Sequence, residues 1–298
     1  MPQTHPSVTI GVPVVNEIDF LPLAIRSVFA QTFSGWRLII LADNATREVL
    51  ELVNAISDPR VSVISDGESR GLPARLNEIT GLAETPLVCR MDADDIMHPE
   101  RLASQVAYFG EHPETDVLGT RCYIIDELST VHGRSKEPAI PTTSAGYLQS
   151  GVFFHPSVMF TRQWSLQNPY DVKWSRTQDK ELWLRSHRES RFAKLDEPFL
   201  YYRIPRELSL EKYSRSAKWD RKVLRTYAPL IGESRFSLER LLATSRAKQM
   251  TMAAAVALGA TDRVYRRRSL PLTLAERERA VAGLVTVAAT SVAGWDAT

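Results

Sequence analysis

Residues 87–102 read LVCRMDADDIMHPERL. Leu87 to Met91 has the apolar composition of a buried strand, and Pro99 suits the first turn of a helix starting near Glu100. Between them stand three carboxylates, Asp92, Asp94 and Asp95. Grouped carboxylates repel one another, and a fold tolerates them more easily where a cation is held. Oxygen donors of this kind suit Mg²⁺ or Mn²⁺, ions that also bridge the oxygens of a diphosphate. A calcium loop of the EF-hand type, counted from Asp92, would need glycine where this chain has Met97. A phosphatase with an aspartyl nucleophile places Asp-x-Asp after the first strand of its sheet, and here the strand is the fourth. An acidic turn that caps the following helix would account for these residues equally well.

Upstream, Val8–Val14 (VTIGVPV) reads as a buried strand. Leu21, Ala24, Ile25, Val28 and Phe29 then form one helical stripe over 20–31, with Asp19 placed to cap it. Trp36–Ala42 is a second strand, Thr46–Ile56 a second helix, Val61–Ile64 a third strand and Gly71–Leu82 a third helix. Strand and helix alternating at this spacing predict parallel strands joined by right-handed crossovers, with helices on the sheet faces. Ligands collect beyond the carboxyl ends of such strands. Those ends carry Pro13 to Glu17, Asp43, Asp66 to Arg70, and Asp92 to Asp95.

Downstream, a helix is expected over Glu100–Glu111 and a strand over Val117–Ile125. Ser129–Ser150, polar and containing Pro138 and Pro141, reads as a long mobile loop. Gly151–Thr161 is apolar again, Lys180–Arg188 helical, and Phe199–Ile204 a late strand. After Pro205 come two long helical patterns, Ser209–Thr226 and Ser237–Leu258, a basic patch (Arg263, Arg266, Arg267, Arg268) and a helix from Leu272. The expected division is therefore 1–205 and a helical region, 206–298.

A net charge of +2 on 298 residues argues against nucleic acid as the main partner. Cys89 and Cys122 fit neither a metal-ligand spacing nor a disulfide framework, and are expected to be buried thiols. Met1 to Ser7 lacks the pattern of a signal peptide, and no stretch has the roughly 18–20 apolar residues that span a bilayer. The expected location is the cytoplasm.

In ordered blocks the chain resembles family 2 glycosyltransferases of the GT-A type, especially bacterial enzymes of capsule, exopolysaccharide or lipopolysaccharide synthesis. The blocks are VTIGVPVVNE, SVFAQTFSGWRLIILADNAT, the run from Ser69 to Thr120 (SRGLPARLNE through VLGT), then HPSVMF, QDKELWLR and LYYR. They cover roughly residues 7 to 205. The resemblance implies a Rossmann-like mixed sheet flanked by helices, with a helical C-terminal extension. It implies an inverting transfer of sugar from a nucleotide diphosphate sugar, UDP-sugars favoured, to a hydroxyl of a saccharide or lipid-linked acceptor.

Site residues follow from the same resemblance. Pro13, Asn16, Glu17 and Asp43 would lie against the nucleotide, and Gly71 where backbone approaches it. Asp92, with Ala93 beside it, would hold the ribose, and Asp94 and Asp95 the Mn²⁺ or Mg²⁺. Asp179 would be the general base, His155 and Trp183 would contact acceptor or donor sugar, and Arg203 would face the phosphates. Read without the resemblance, Asp179 caps the next helix, Trp183 packs in the core, and Asn16 and Glu17 shape a turn.

Several positions depart from the family pattern. Val15 stands where many relatives have an aromatic residue to stack on the base. The acidic turn reads Ala42-Asp43-Asn44-Ala45 rather than two acids and Gly-Ser, and Gln178 stands where a glutamate is common. These leave open a non-catalytic nucleotide-binding protein on the same fold. A sugar nucleotidyltransferase would need a glycine-rich, basic loop after the first strand, which PVVNEIDF does not supply. The stretch 263–295, basic and then apolar, is expected to touch an anionic membrane on its cytoplasmic face, a second subunit or the catalytic domain.

Overall fold

The computed structural model describes residues 7–136, 138–204, 209–258 and 269–295. Four parallel strands form one half of a mixed sheet: β1 (Val8–Val14), β2 (Trp36–Ala42), β3 (Val61–Ser65) and β4 (Leu87–Arg90). β1 lies between β2 and β4, and β3 pairs with β2. This half follows the sequence reading, because β1 and β2 are covered on both faces and read as apolar runs. Alternate residues divide between two cores. Ile10, Val12, Leu38 and Ile40 face α1 (Leu21–Phe29), α2 (Arg47–Asn54) and α4 (Arg101–Glu111), while Ile39, Leu41 and Val88 face the opposite side with α3 (Leu72–Leu82).

The other half runs in both directions. The two-residue strand β5 (Ile96–Met97) precedes α4, and β6 (Val117–Ile125) has the bounds expected. The expected loop 129–150 instead contains β7 (Val131–Ser135), antiparallel to β6, and a short helix, α5 (Ser144–Gln149), capped by the Thr143 hydroxyl. A 3₁₀ turn (His155–Ser157) leads into β8 (Met159–Thr161), which pairs antiparallel with β4 and β6 and so joins the two halves. After α6 (Arg162–Gln167) and α7 (Gln178–Ser186), the long strand β9 (Phe192–Arg203) runs parallel to β6 and pairs with β5.

The C-terminal helices pack onto this sheet. α8 (Leu210–Leu230) and α9 (Arg235–Ala257) bury Val223, Leu224, Ala228 and Leu242 in the core that holds α7. β10 (Ser269–Leu270) adds to the edge at β7, and α10 (Leu274–Ala288), opened by a Thr273–Glu276 capping box, buries Ala280 and Val287 beside Tyr123 and Tyr201. Cys89 and Cys122 are both buried thiols. Among the described residues no helix is long and apolar enough to cross a membrane.

Two expectations about helix starts fail. Phe20, not Asp19, occupies the cap of α1, and no side chain caps it; the chain turns in through backbone bonds from Phe20 and Leu21 to the Glu17 carbonyl. Pro99 lies before α4 rather than inside its first turn.

Gly11 in β1 lets α3 lie close against the sheet, since a Cβ there would run into the Ile79 side chain. Gly11→Val should therefore force α3 outward and destabilise the fold by about 1–3 kcal/mol, as overpacked cores do. Urea unfolding measures this, and unchanged stability would show that α3 does not depend on the close approach.

Candidate active site

The site forms where the parallel strands end. A cleft of about 270 Å³ is lined by Pro13, Val15, Glu17, Asp43, Leu72, Arg75, Asp92, Ala93 and Asp94. Six of the residues expected at the nucleotide or metal, Pro13, Glu17, Asp43, Asp92, Ala93 and Asp94, thus share one wall system. Gly71 adjoins it, with φ +80°, a conformation that suits glycine, and its N–H donates to Asp43 Oδ2 at 3.0 Å. Asn16 is exposed and outside the lining; its N–H and that of Val15 donate to Glu17 Oε2 at 3.0 and 2.8 Å, so these residues shape the turn after β1.

Asp43 is fixed by Arg75, a residue the sequence reading missed. Arg75 is 1% exposed, on the stripe Leu72, Arg75, Leu76, Ile79 of α3. Its guanidinium donates to Asp43 Oδ1 at 2.9 Å, to both Asp66 oxygens at 2.6 and 3.0 Å, and to Glu78 Oε2 at 2.9 Å. Arg75 thereby holds the Asp66 carboxyl well below the usual carboxylate range. A cation on an otherwise apolar helical stripe, facing two acidic strand ends, was the available signal.

The acidic cluster follows β4. One ligand atom from each of Asp92, Asp94 and Asp95 lies within 4.8 Å of the others. Asp95 is 1% exposed; its Oδ1 accepts the Arg203 N–H at 2.8 Å, and its buried Oδ2 has no partner among the described residues. Burial, then the Asp92 charge, pushes Asp94 up to about 6. Burial and the neighbouring carboxylates push Asp95 up as well. This donor set, all carboxylate and with one oxygen orphaned, fits a hard divalent cation.

Arg203 braces the cluster from behind. Its Nε donates to the Asp94 carbonyl at 2.7 Å, its other nitrogens reach the Asp126 carbonyl and Ser129 Oγ, and the guanidinium lies 4.4 Å over the Phe20 ring. Those bonds engage its nitrogens with two carbonyls and a hydroxyl, and Arg203 is not among the residues that line the cleft, which corrects the expectation that it faces phosphate.

Asp179 sits in the first turn of α7, not at the cap; the cap residue is Thr177, whose φ of +63° is uncommon for a β-branched residue. Burial raises the Asp179 carboxyl above its ordinary value, opposed by the Lys180 N–H and the charge of Arg90. α7 is held by α8: Lys180 pairs with Asp220, and the Tyr227 hydroxyl donates to Glu181. Arg90, the last residue of β4, is buried and donates to Asp92 Oδ1 at 2.6 Å, so one cation acts on both Asp92 and Asp179.

His155 and Trp183 lie deeper than expected. His155 Nε2 is 2.8 Å from the Tyr170 hydroxyl, and burial lowers the ring well below its ordinary value, leaving it neutral. Trp183 is 2% exposed, stacked 6.0 Å from Trp164 and edge-on to Phe153 and Phe192. An indole so enclosed packs the core and offers no face to a sugar, which corrects the expectation of sugar contact. Of the stretch 263–295, the four arginines lie outside the described residues, while α10 packs through Ala280, Gly283 and Val287 and exposes Leu274, Val281 and Val285.

Comparison with known proteins gives concordant results. The sequence profile described as glycosyl transferase family 2 matches residues 9–173, more than half of the chain. An uncharacterised glycosyltransferase of Methanocaldococcus jannaschii is 26% identical over 230 residues, 74% of this chain and 79% of that protein. The O-antigen biosynthesis glycosyltransferase WbnJ of Escherichia coli is 27% identical over 193 residues, covering 62% and 74%. Among solved structures, Staphylococcus aureus TarS 1–349 in complex with UDP-GlcNAc superposes with a TM-score of 0.59 at 15% identity, over 94% of this chain and 81% of that one. The mannosyltransferase PcManGT of Pyrobaculum calidifontis, in complex with GDP-Man and Mn²⁺, gives 0.58 at 16% identity, over 100% and 89%. The fold is thus that of GT-A glycosyltransferases.

Replacing Arg75 by alanine removes its bonds to Asp43, Asp66 and Glu78, while Asp43 keeps the N–H groups of Arg70 and Gly71 and Asp66 keeps Arg70. It should cost about 1.5–3 kcal/mol, the range for hydrogen bonds to charged groups. Urea unfolding reads this loss; a loss below about 1 kcal/mol would place Arg75 among ordinary surface ion pairs.

Proposed function

Because this chain belongs to glycosyl transferase family 2, we propose that it is an inverting enzyme of cell-surface polysaccharide synthesis, moving sugar from a nucleotide diphosphate to a saccharide or lipid-linked hydroxyl. The observation that carries this reading is the single cleft joining Asp43 to Asp92, Ala93 and Asp94. The names of the relatives support the polysaccharide setting, and those of the structural neighbours support a nucleotide sugar as donor.

In this reading Asp43, already oriented by Arg75 and two backbone N–H groups, accepts a hydrogen bond from the base. Val15, 40% exposed at the cleft, offers an apolar edge in place of an aromatic ring. Asp92 binds the ribose. Asp94 and Asp95 would hold Mn²⁺ or Mg²⁺, which when bound neutralises charge on the departing diphosphate. Asp179 takes the proton of the acceptor hydroxyl as that oxygen bonds to the anomeric carbon and the bond to the diphosphate oxygen breaks. One in-line displacement inverts the anomeric centre.

UDP-sugars are the favoured donors. Residues 1–205 form the catalytic unit and 206–298 a helical region that secures α7. Exposed Leu274, Val281 and Val285 support contact of α10 with the membrane that carries a lipid-linked acceptor, or with a second copy of the chain.

Asp179→Asn should keep donor binding but lower release of nucleoside diphosphate from the preferred member of a UDP- and GDP-sugar panel by about 10²–10⁴-fold, the range for losing a general base. In the native enzyme the base acts only when ionised. Its raised value therefore places the acid limb of kcat above the usual ~3.9 of aspartate, with activity lost as pH falls through it. Undiminished turnover in Asp179→Asn, or an acid limb that survives it unchanged, would remove Asp179 as the base.

A further inference from the structure

Four helices leave a hollow of about 560 Å³ between them, against about 270 Å³ for the cleft at Asp43 and Asp92. Its walls are the end of α5 (Leu148, Gln149), the start of α7 (Thr177, Lys180), and facing sides of α8 and α9. Protein interiors are packed as densely as organic crystals, with few voids larger than a water molecule. A space of this size, walled by helices and open to solvent, has the dimensions of a ligand pocket rather than of a packing defect.

The lining indicates what the hollow takes. Leu148, Ala217, Leu224 and Leu241 give it an apolar floor, which suits the C–H face of a sugar ring. Tyr213, Ser216 and Thr244 add hydroxyls, which donate and accept as sugar hydroxyls do. Charge is unbalanced there. Lys180 and Asp220 pair with each other. Arg240 and Lys248, about two turns apart on α9, line the hollow and have no acidic partner among the described residues. The surplus is positive, and a phosphate or carboxylate on the ligand meets it.

The position of the hollow supplies the rest. Thr177 and Lys180 belong to the same turn of α7 as Asp179, whereas Asp179 itself is outside the lining. The hollow therefore does not hold the group that reacts at Asp179. A saccharide whose reacting hydroxyl meets Asp179 has the hollow one helical turn away for its further units.

We propose that the hollow among α5, α7, α8 and α9 binds the acceptor away from its reacting end, and that this acceptor is an acidic saccharide whose phosphate or carboxylate is held by Arg240 and Lys248. This rests on the reading of Asp179 as the base and deepens it by naming the class of acceptor. It also gives α8 and α9 a second task beside holding α7.

The test is calorimetric titration of the native protein with three hexasaccharides: maltohexaose, which is neutral, a maltohexaose phosphate, and hexagalacturonate. An acidic probe should bind about tenfold or more tightly than maltohexaose and weaken as salt is raised, and which acid binds tells phosphate from carboxylate. Two variants at exposed positions test the place. Arg240→Glu combined with Lys248→Glu reverses the charge, Thr244→Trp fills the space, and each should weaken the acidic probe about tenfold or more. Melting transitions show whether each variant keeps the fold; Arg240→Gln with Lys248→Gln, or Thr244→Phe, replaces one that does not. Acidic and neutral probes that bind alike, no binding of either acid, or an acidic probe whose affinity survives either variant overturns the proposal. Release of nucleoside diphosphate from the UDP- and GDP-sugar panel by the native protein separates the two readings. Release without binding of an acidic probe leaves the donor reading and removes this one. Binding without release contradicts the donor reading, and the acceptor's role falls with it.

Discussion

Crowding of like charge at the end of β4 is the constraint on which the rest of the site depends. Three carboxylates share a space of a few ångströms, and one of them is almost wholly removed from water. The fold meets comparable charges elsewhere with guanidinium groups: Arg75 for Asp43 and Asp66, Arg90 for Asp92. At Asp94 and Asp95 it does not. Arg203 is close enough to supply a fork, yet its nitrogens are spent on backbone carbonyls and a hydroxyl, and only its N–H reaches Asp95. Negative charge is therefore left over at one place, beside a cleft of a size to hold part of a nucleotide. A divalent cation with a diphosphate is the chemistry that fits such a surplus.

The supporting structure keeps that place rigid from several directions. β4 and the β5–β9 pair hold the two ends of the acidic turn. α3 carries Arg75 to the end of β2, and its approach depends on the missing side chain at Gly11. α7 carries Asp179 and is clamped by the aromatic core around Trp183 within the sheet side and by Asp220 and Tyr227 of α8 on the other. The C-terminal helices thus help to fix the position of α7, although none of their described residues lines the cleft.

Much of this was legible in the sequence. β1, β2 and α1 announce themselves because fully covered strands are unbroken apolar runs and covered helices carry a stripe. The acidic turn was legible because carboxylates so crowded need an explanation. β7 was not, since VHGRS points Val131, Gly133 and Ser135 inward and His132 and Arg134 outward, and only one of the inward residues is large and apolar. The first part of β9 was hidden by Lys194, Asp196, Glu197 and Pro198, at a point where its register against β6 shifts. Arg75 and Arg90 were hidden for a related reason: a charged residue in a sequence reads as surface, and only the fold shows that each is buried among carboxylates. Trp183 failed in the opposite sense, because a tryptophan beside a catalytic candidate fits a sugar platform and a core equally well until its burial is known.

The most direct measurement is calorimetric titration of UDP and GDP into the native protein and Asp94→Ala, each with and without Mn²⁺. One of the two nucleotides should bind the native protein tightly only when Mn²⁺ is present, and Asp94→Ala should lose that dependence together with most of the affinity. Equal affinity with and without the ion, or an Asp94→Ala protein that binds as the native one does, would contradict a cation held by the carboxylates that follow β4.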